Sequence, residues 1–105
     1  MIIMVDAALK LEGEKSGEIG EGVGAAIGGI GTERFKIEEE ATKFGIPVFA
    51  IVIKQSIQEA VTTMKKEIAD ATGPAIELIK RLIIERSKEG DLVLIAGIGN
   101  TIGIA

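Results

Sequence analysis

The chain has 105 residues, 47% of them apolar and 27% charged, with a net charge of −4. That is enough apolar sequence for one domain with its own core, and the acidic balance and scarcity of aromatic side chains argue against nucleic acid as a partner. Cysteine and histidine do not occur, which removes thiol nucleophiles, disulfides, imidazole bases and the usual zinc sites; any chemistry falls to Asp, Glu, Lys, Ser or Thr.

Residues 1–5 form a continuous apolar run of the kind a strand buried on both faces shows. This predicts a strand over 1–6 with Asp6 at its tip. The stretch AALKLEGEK (7–15) reads equally as strand continuation or loop. The segment GEIGEGVGAAIGGIG follows. At 100° per residue, Gly17, Gly20, Gly24, Gly28 and Gly31 fall within about 80° of one another, with Ile19, Val23, Ala26, Ile27 and Ile30 in the adjacent sector. The pattern predicts a helix over 17–29, capped by Ser16, whose glycine face presses against a neighbouring backbone as a close-packing or interface surface. Each interior glycine costs such a helix up to about 1 kcal/mol, so tertiary contact has to compensate.

Thr32 is placed to cap a second helix running to Phe44, with Ile37, Ala41 and Phe44 on its apolar side and Gly45 and Pro47 as its stop. The run Val48–Ile53 predicts a second strand within 46–54. Ser56 and Glu59 have capping-box spacing and predict a helix carrying Ile57, Ala60, Val61, Met64 and Ile68 on one face. Gly73-Pro74 interrupts it and opens another helix, with Ile76, Ile79, Leu82 and Ile83 as its stripe and Gly90 beyond its end. A third strand is predicted over 91–97, followed by Gly97-Ile98-Gly99-Asn100-Thr101.

Apolar strands alternating with helices are the pattern of βαβ units, so the expected fold is a small three-layer α/β domain with about three mutually parallel strands flanked by helices. Three strands cover little, which leads to the expectation of a homo-oligomer, a dimer by preference. The chain begins inside an apolar strand and stops in apolar TIGIA, so residues 1–105 read as one domain cut from, or closing, a longer polypeptide. No apolar run reaches the roughly 18 residues that span a bilayer, and the first residues lack the basic start of a secretory signal. The expectation is a cytoplasmic domain without membrane contact. Abundant Ile, Glu and Lys beside one Asn and two Gln suit a thermophile.

In parallel sheets, ligands bind outside the carboxyl ends of the strands. Those ends would present Asp6, then Lys54 and Ser56, then Gly97, Gly99, Asn100 and Thr101. Lys54 beside a helix start suits an anion, and paired glycines let backbone amides approach it. Asp6 is the one candidate metal residue, for a hydrated Mg ion held against a phosphate. Each residue also has a purely structural reading: Ser56 as helix punctuation, Lys54 as a snorkelling cation, Asp6 as a turn acceptor. No complete catalytic or phosphate-loop motif occurs. Two function classes follow: a non-catalytic assembly or regulatory module, and a domain binding a phosphorylated or anionic metabolite.

The strings VDAALKLEGEKSGEIGEGVGAAIGG, IEEEATKFGIP, VIKQSIQEAV and AGIGNTIGI resemble the C-terminal region of an uncharacterised archaeal protein family. The resemblance covers nearly the whole chain and implies no activity. It does imply longer relatives with an N-terminal membrane segment and a preceding Gly-rich α/β region, this part lying in the cytoplasm.

Overall fold

The computed structural model describes residues 1–23 and 33–98. In chain order the elements are β1 (Ile2–Leu9), β2 (Ile19–Val23), α1 (Glu33–Lys43), β3 (Val48–Gln55), α2 (Ile57–Ala60), α3 (Lys66–Asp70), α4 (Thr72–Arg86) and β4 (Leu94–Gly97). The four strands make one sheet in the order β2-β3-β1-β4. β1 pairs in parallel with β3, from Ile2↔Val48 to Leu9↔Gln55, and with β4, from Ile2↔Leu94 to Val5↔Gly97.

The apolar continuity of β1 has a direct physical cause. Successive side chains of a strand point to opposite faces, and here both faces are covered. Ile3 joins Ile51, Ala75 and Leu82 under α4, while Met4 joins Ala41, Val48 and Ala50 under α1. The sheet is therefore the middle of three layers. Ile3 and Ile51 are wholly inaccessible to solvent, and Met4 and Val52 nearly so.

Four expectations need correction. First, residues 17–23 are not helical. Gly17 sits in a turn at φ +85°, and Ile19–Val23 form β2, antiparallel to β3 with Ile19↔Ile53 and Val23↔Phe49 in register. Gly20 and Gly22 alternate with Ile19, Glu21 and Val23, so the same glycines sort by a period of two as well as by 3.6. In the strand Gly20 lies close against β3, where a Cβ would stand 3.1 Å from Cγ2 of Val52, so the small residue suits this pairing. The sheet consequently has a fourth, antiparallel strand. The remainder of the predicted helix, with Gly24 and Gly28, lies outside the described residues, as do Gly31 and the Thr32 cap.

Second, β1 continues to Leu9, so Asp6 lies inside the strand opposite Val52 and not at its tip. Third, the helix after Ser56 breaks into α2 and α3. Thr62 turns its hydroxyl back onto the Gln58 carbonyl at 2.9 Å, and Ile57, Val61 and Met64 stand in solvent instead of forming an apolar face. Fourth, the core side of α4 carries Ala75 and Leu82 with Leu78, Ile79 and Ile83, while Ile76 is exposed. Pro74 does fall in the first turn of α4, where its missing N–H costs nothing. α1 ends at Lys43, and Gly45 at φ +65° carries the chain out, its N–H donating to the Thr42 carbonyl while Phe44 and Ile46 N–H donate to that of Ala41.

Candidate functional site

Because β1 and β3 run in parallel with Ala8 beside Lys54, their carboxyl ends lie together, and the loop from Lys10 to Glu18 folds over them. Lys10 N–H donates to the Gln55 carbonyl at 2.9 Å, Gly17 N–H to the Lys54 carbonyl at 2.8 Å, and Lys54 N–H to the Glu18 carbonyl at 2.9 Å. The left-handed backbone of Gly17 brings this loop so close to α3 that a Cβ there would overlap the carbonyl oxygen of Glu67.

Lys54 projects from β3 into this loop and its ammonium pairs with the Glu14 carboxylate. Glu14 also accepts from Leu11 N–H at 2.6 Å. The Lys54 hydrogen bond, then the Leu11 amide, holds the Glu14 carboxyl below its ordinary range. The cation that the sequence offers to a ligand is thus already engaged by an acid of the same chain.

Ser56 does what its spacing implies. Its hydroxyl accepts from Glu59 N–H at 3.1 Å, and the Glu59 carboxylate accepts in return from Ser56 N–H at 2.8 Å, a reciprocal capping box. What the sequence does not disclose is the second duty of that acid. Glu59 is 7% exposed, and Ser16, 43 residues earlier, donates its hydroxyl to it at 2.6 and 2.8 Å. Lys65 reaches the same carboxylate at 3.2 Å, and Lys10 donates to the Ser16 oxygen at 3.2 Å. These donors hold the Glu59 pKa down to about 2, the Ser16 hydroxyl contributing most and the Ser56 amide next. Bound by both serines and by Lys65, this carboxylate clamps the loop after β1 to the start of α2. No local pattern marks this contact, because it joins positions 43 residues apart.

The remaining candidates lie elsewhere. Gly97 pairs with Val5, three residues short of the level of Lys54, and open space surrounds the position of its missing Cβ. Asp6 is next to that level; its Oδ1 accepts from Ala7 N–H at 2.7 Å. The set therefore divides into Lys54 with Ser56 at the carboxyl edge and Asp6 with Gly97 lower in the sheet. Gly99, Asn100 and Thr101 lie outside the described residues. Among the described residues, no three carboxylates gather in a way that could hold a metal ion, and no helix is long and apolar enough to cross a membrane. A shallow cleft of about 350 Å³ opens at the carboxyl edge, lined by Leu9, Lys10, Leu11, Glu12, Ser56, Ile57 and Gln58.

A mixed four-stranded sheet between helices, with polar groups of its carboxyl edge bound to one another, defines a small α/β domain. The chain belongs to the family described as Domain of unknown function (DUF1512) C-terminal, which matches residues 1–105. Among curated proteins and among solved structures, none matches it.

Proposed function

We propose that this domain is a non-catalytic assembly or regulatory module that associates with a second copy of itself. The observation that carries the reading is the engagement of the carboxyl edge: Lys54 is paired with Glu14, and Ser56 and Ser16 are both bound to Glu59. Large apolar side chains meanwhile stand in solvent, among them Phe44, Leu92, Leu94 and Ile95. Exposed apolar surface on an edge strand such as β4 is the ordinary raw material of association. Of the glycines proposed for close packing, Gly17 and Gly20 make their close approaches within the chain, and in this reading the apolar surfaces carry the association. Neither nucleic acid nor membrane is a partner in this reading. The domain acts in the cytoplasm of a thermophilic archaeon, in keeping with its Ile-, Glu- and Lys-rich composition.

A second reading draws on the cleft between Leu9–Glu12 and Ser56–Gln58, which lies where parallel sheets bind ligands. It makes the domain a receptor for a phosphorylated or anionic metabolite, with Mg only as a companion of the phosphate. Thermal unfolding against nucleotides and sugar phosphates separates the two. A ligand at 100 times its dissociation constant adds about 2.7 kcal/mol. The assembly reading predicts no shift with any anion, and a midpoint that rises with protein concentration.

A further inference from the structure

An apolar groove of about 380 Å³ runs beside α1, on the sheet face opposite α4. Its apolar lining is Ile2, Ile37, Ala41, Ile46 and Phe44, the last with 75% of its surface exposed. Register extends the surface further, because Ile2 is the partner of Leu94 on β4 and Leu94 is itself exposed. The groove is thus continuous with β4, the outer strand of the sheet among the described residues.

Its rim is charged in a particular way. Lys36 and Glu40, one helical turn apart on α1, line the groove and are both exposed. They do not satisfy each other: Glu40 turns toward Lys43 at 2.9 Å, and Lys36 has no ion-pair partner among the described residues. A cation and an anion one turn apart on one helix are self-complementary under a two-fold axis. If two α1 helices pack antiparallel about an axis passing between positions 36 and 40, Lys36 of each copy meets Glu40 of the other, and two ion pairs form at once. In that arrangement the two Phe44 rings lie toward opposite ends of the contact.

We infer that the α1 groove, with Phe44 as its apolar anchor and Lys36 and Glu40 as its reciprocal charges, is an isologous interface between two copies of this chain. This rests on the assembly reading above and gives it a surface. The occupant is a second copy because the rim offers a matched pair of opposite charges, as an isologous contact requires; a strongly acidic or basic partner would find one of the two repelling it. Such a contact is specified by the ion pairs and held by the apolar lining.

The test is sedimentation velocity of the 105-residue chain and four variants across a concentration series, with circular dichroism to confirm folding. The wild type sediments as a dimer, and Phe44→Glu as a folded monomer, since that side chain is exposed in the single chain. Lys36→Glu and Glu40→Lys each weaken the dimer at least tenfold by placing like charges together. Lys36→Glu combined with Glu40→Lys restores it, because exchanging both signs recreates the pairs. A dimer indifferent to Phe44→Glu, or a double variant as weak as its parents, overturns this interface and leaves self-association standing elsewhere on the molecule. A wild type that stays monomeric at every concentration overturns both.

Discussion

Ser16 Oγ lies 2.6 Å from Oε2 of Glu59, and that hydrogen bond joins two parts of the chain separated by 43 residues. It fastens the loop after β1 to the short helix after β3, directly over the carboxyl ends of the two central strands. The same carboxylate caps α2 and receives Lys65, so one buried acid organises the edge where a parallel sheet would otherwise present a ligand site.

Acid should loosen this edge. The folded pKa of Glu59 is about 2 against an ordinary 4.5. A depressed carboxyl pKa contributes stability that is fully present above the unfolded value and is lost as pH falls through the folded one. The thermal midpoint is expected to fall between pH about 5 and about 2, with Glu14 acting in the same direction. Glu59→Gln should lower the midpoint at pH 7 and flatten its acid dependence. An unchanged acid profile in the variant would remove Glu59 as the cause.

The two serines should separate by their effects. Ser56→Ala removes a helix cap and should cost about 1 kcal/mol in chemical denaturation, with little change in the titration of Glu59. Ser16→Ala removes the largest contribution to the low Glu59 pKa, so carbon-detected NMR titration should show that carboxyl moving up toward its ordinary range. The opposite assignment of effects would mean that the cap, not the loop, holds the charge.

Glycine substitutions test the packing of the loop. Gly17→Ala meets both a left-handed φ and the Glu67 carbonyl, and should destabilise by about 1–3 kcal/mol or more. Gly97→Ala enters open space at the end of an edge strand and should be neutral or stabilising by up to about 1 kcal/mol. Equal midpoints for the two variants would contradict the close approach at Gly17.

Much of this architecture is legible in the residues. β1 and β3 read directly because each is covered on both faces, so Ile3 and Met4 are both apolar although they point in opposite directions. The capping box at Ser56 is read from spacing alone, and it forms. β2 is not legible, since Gly20 and Gly22 fit a strand and a helix equally; the choice is made by pairing with β3, where Val52 leaves only a tight fit for a Cβ at position 20. The internal engagement of Lys54 by Glu14 is hidden for a related reason. It joins positions 40 apart that only the folded loop brings together, and no local pattern records such a meeting.

On the opposite face, Arg81 of α4 places Nη2 2.9 and 2.8 Å from the two oxygens of Glu21 on β2, each side chain about half exposed. The pair ties the antiparallel edge strand to the helix layer. Exposed pairs contribute at most about 1 kcal/mol and are screened by salt. Arg81→Ala should therefore lower the midpoint slightly at low ionic strength, and the difference should largely disappear in about 1 M salt. A difference that persists there would point to lost packing of the arginine stem.

The most direct measurement of the central claim is the mass of the chain in solution by sedimentation equilibrium over a wide concentration range. Self-association predicts a species of twice the 11.0 kDa chain mass, in exchange with monomer on dilution and indifferent to added nucleotides or sugar phosphates. A constant mass of 11.0 kDa at all concentrations, together with a thermal midpoint that rises on addition of one such anion, would contradict the assembly account in favour of a ligand-binding domain.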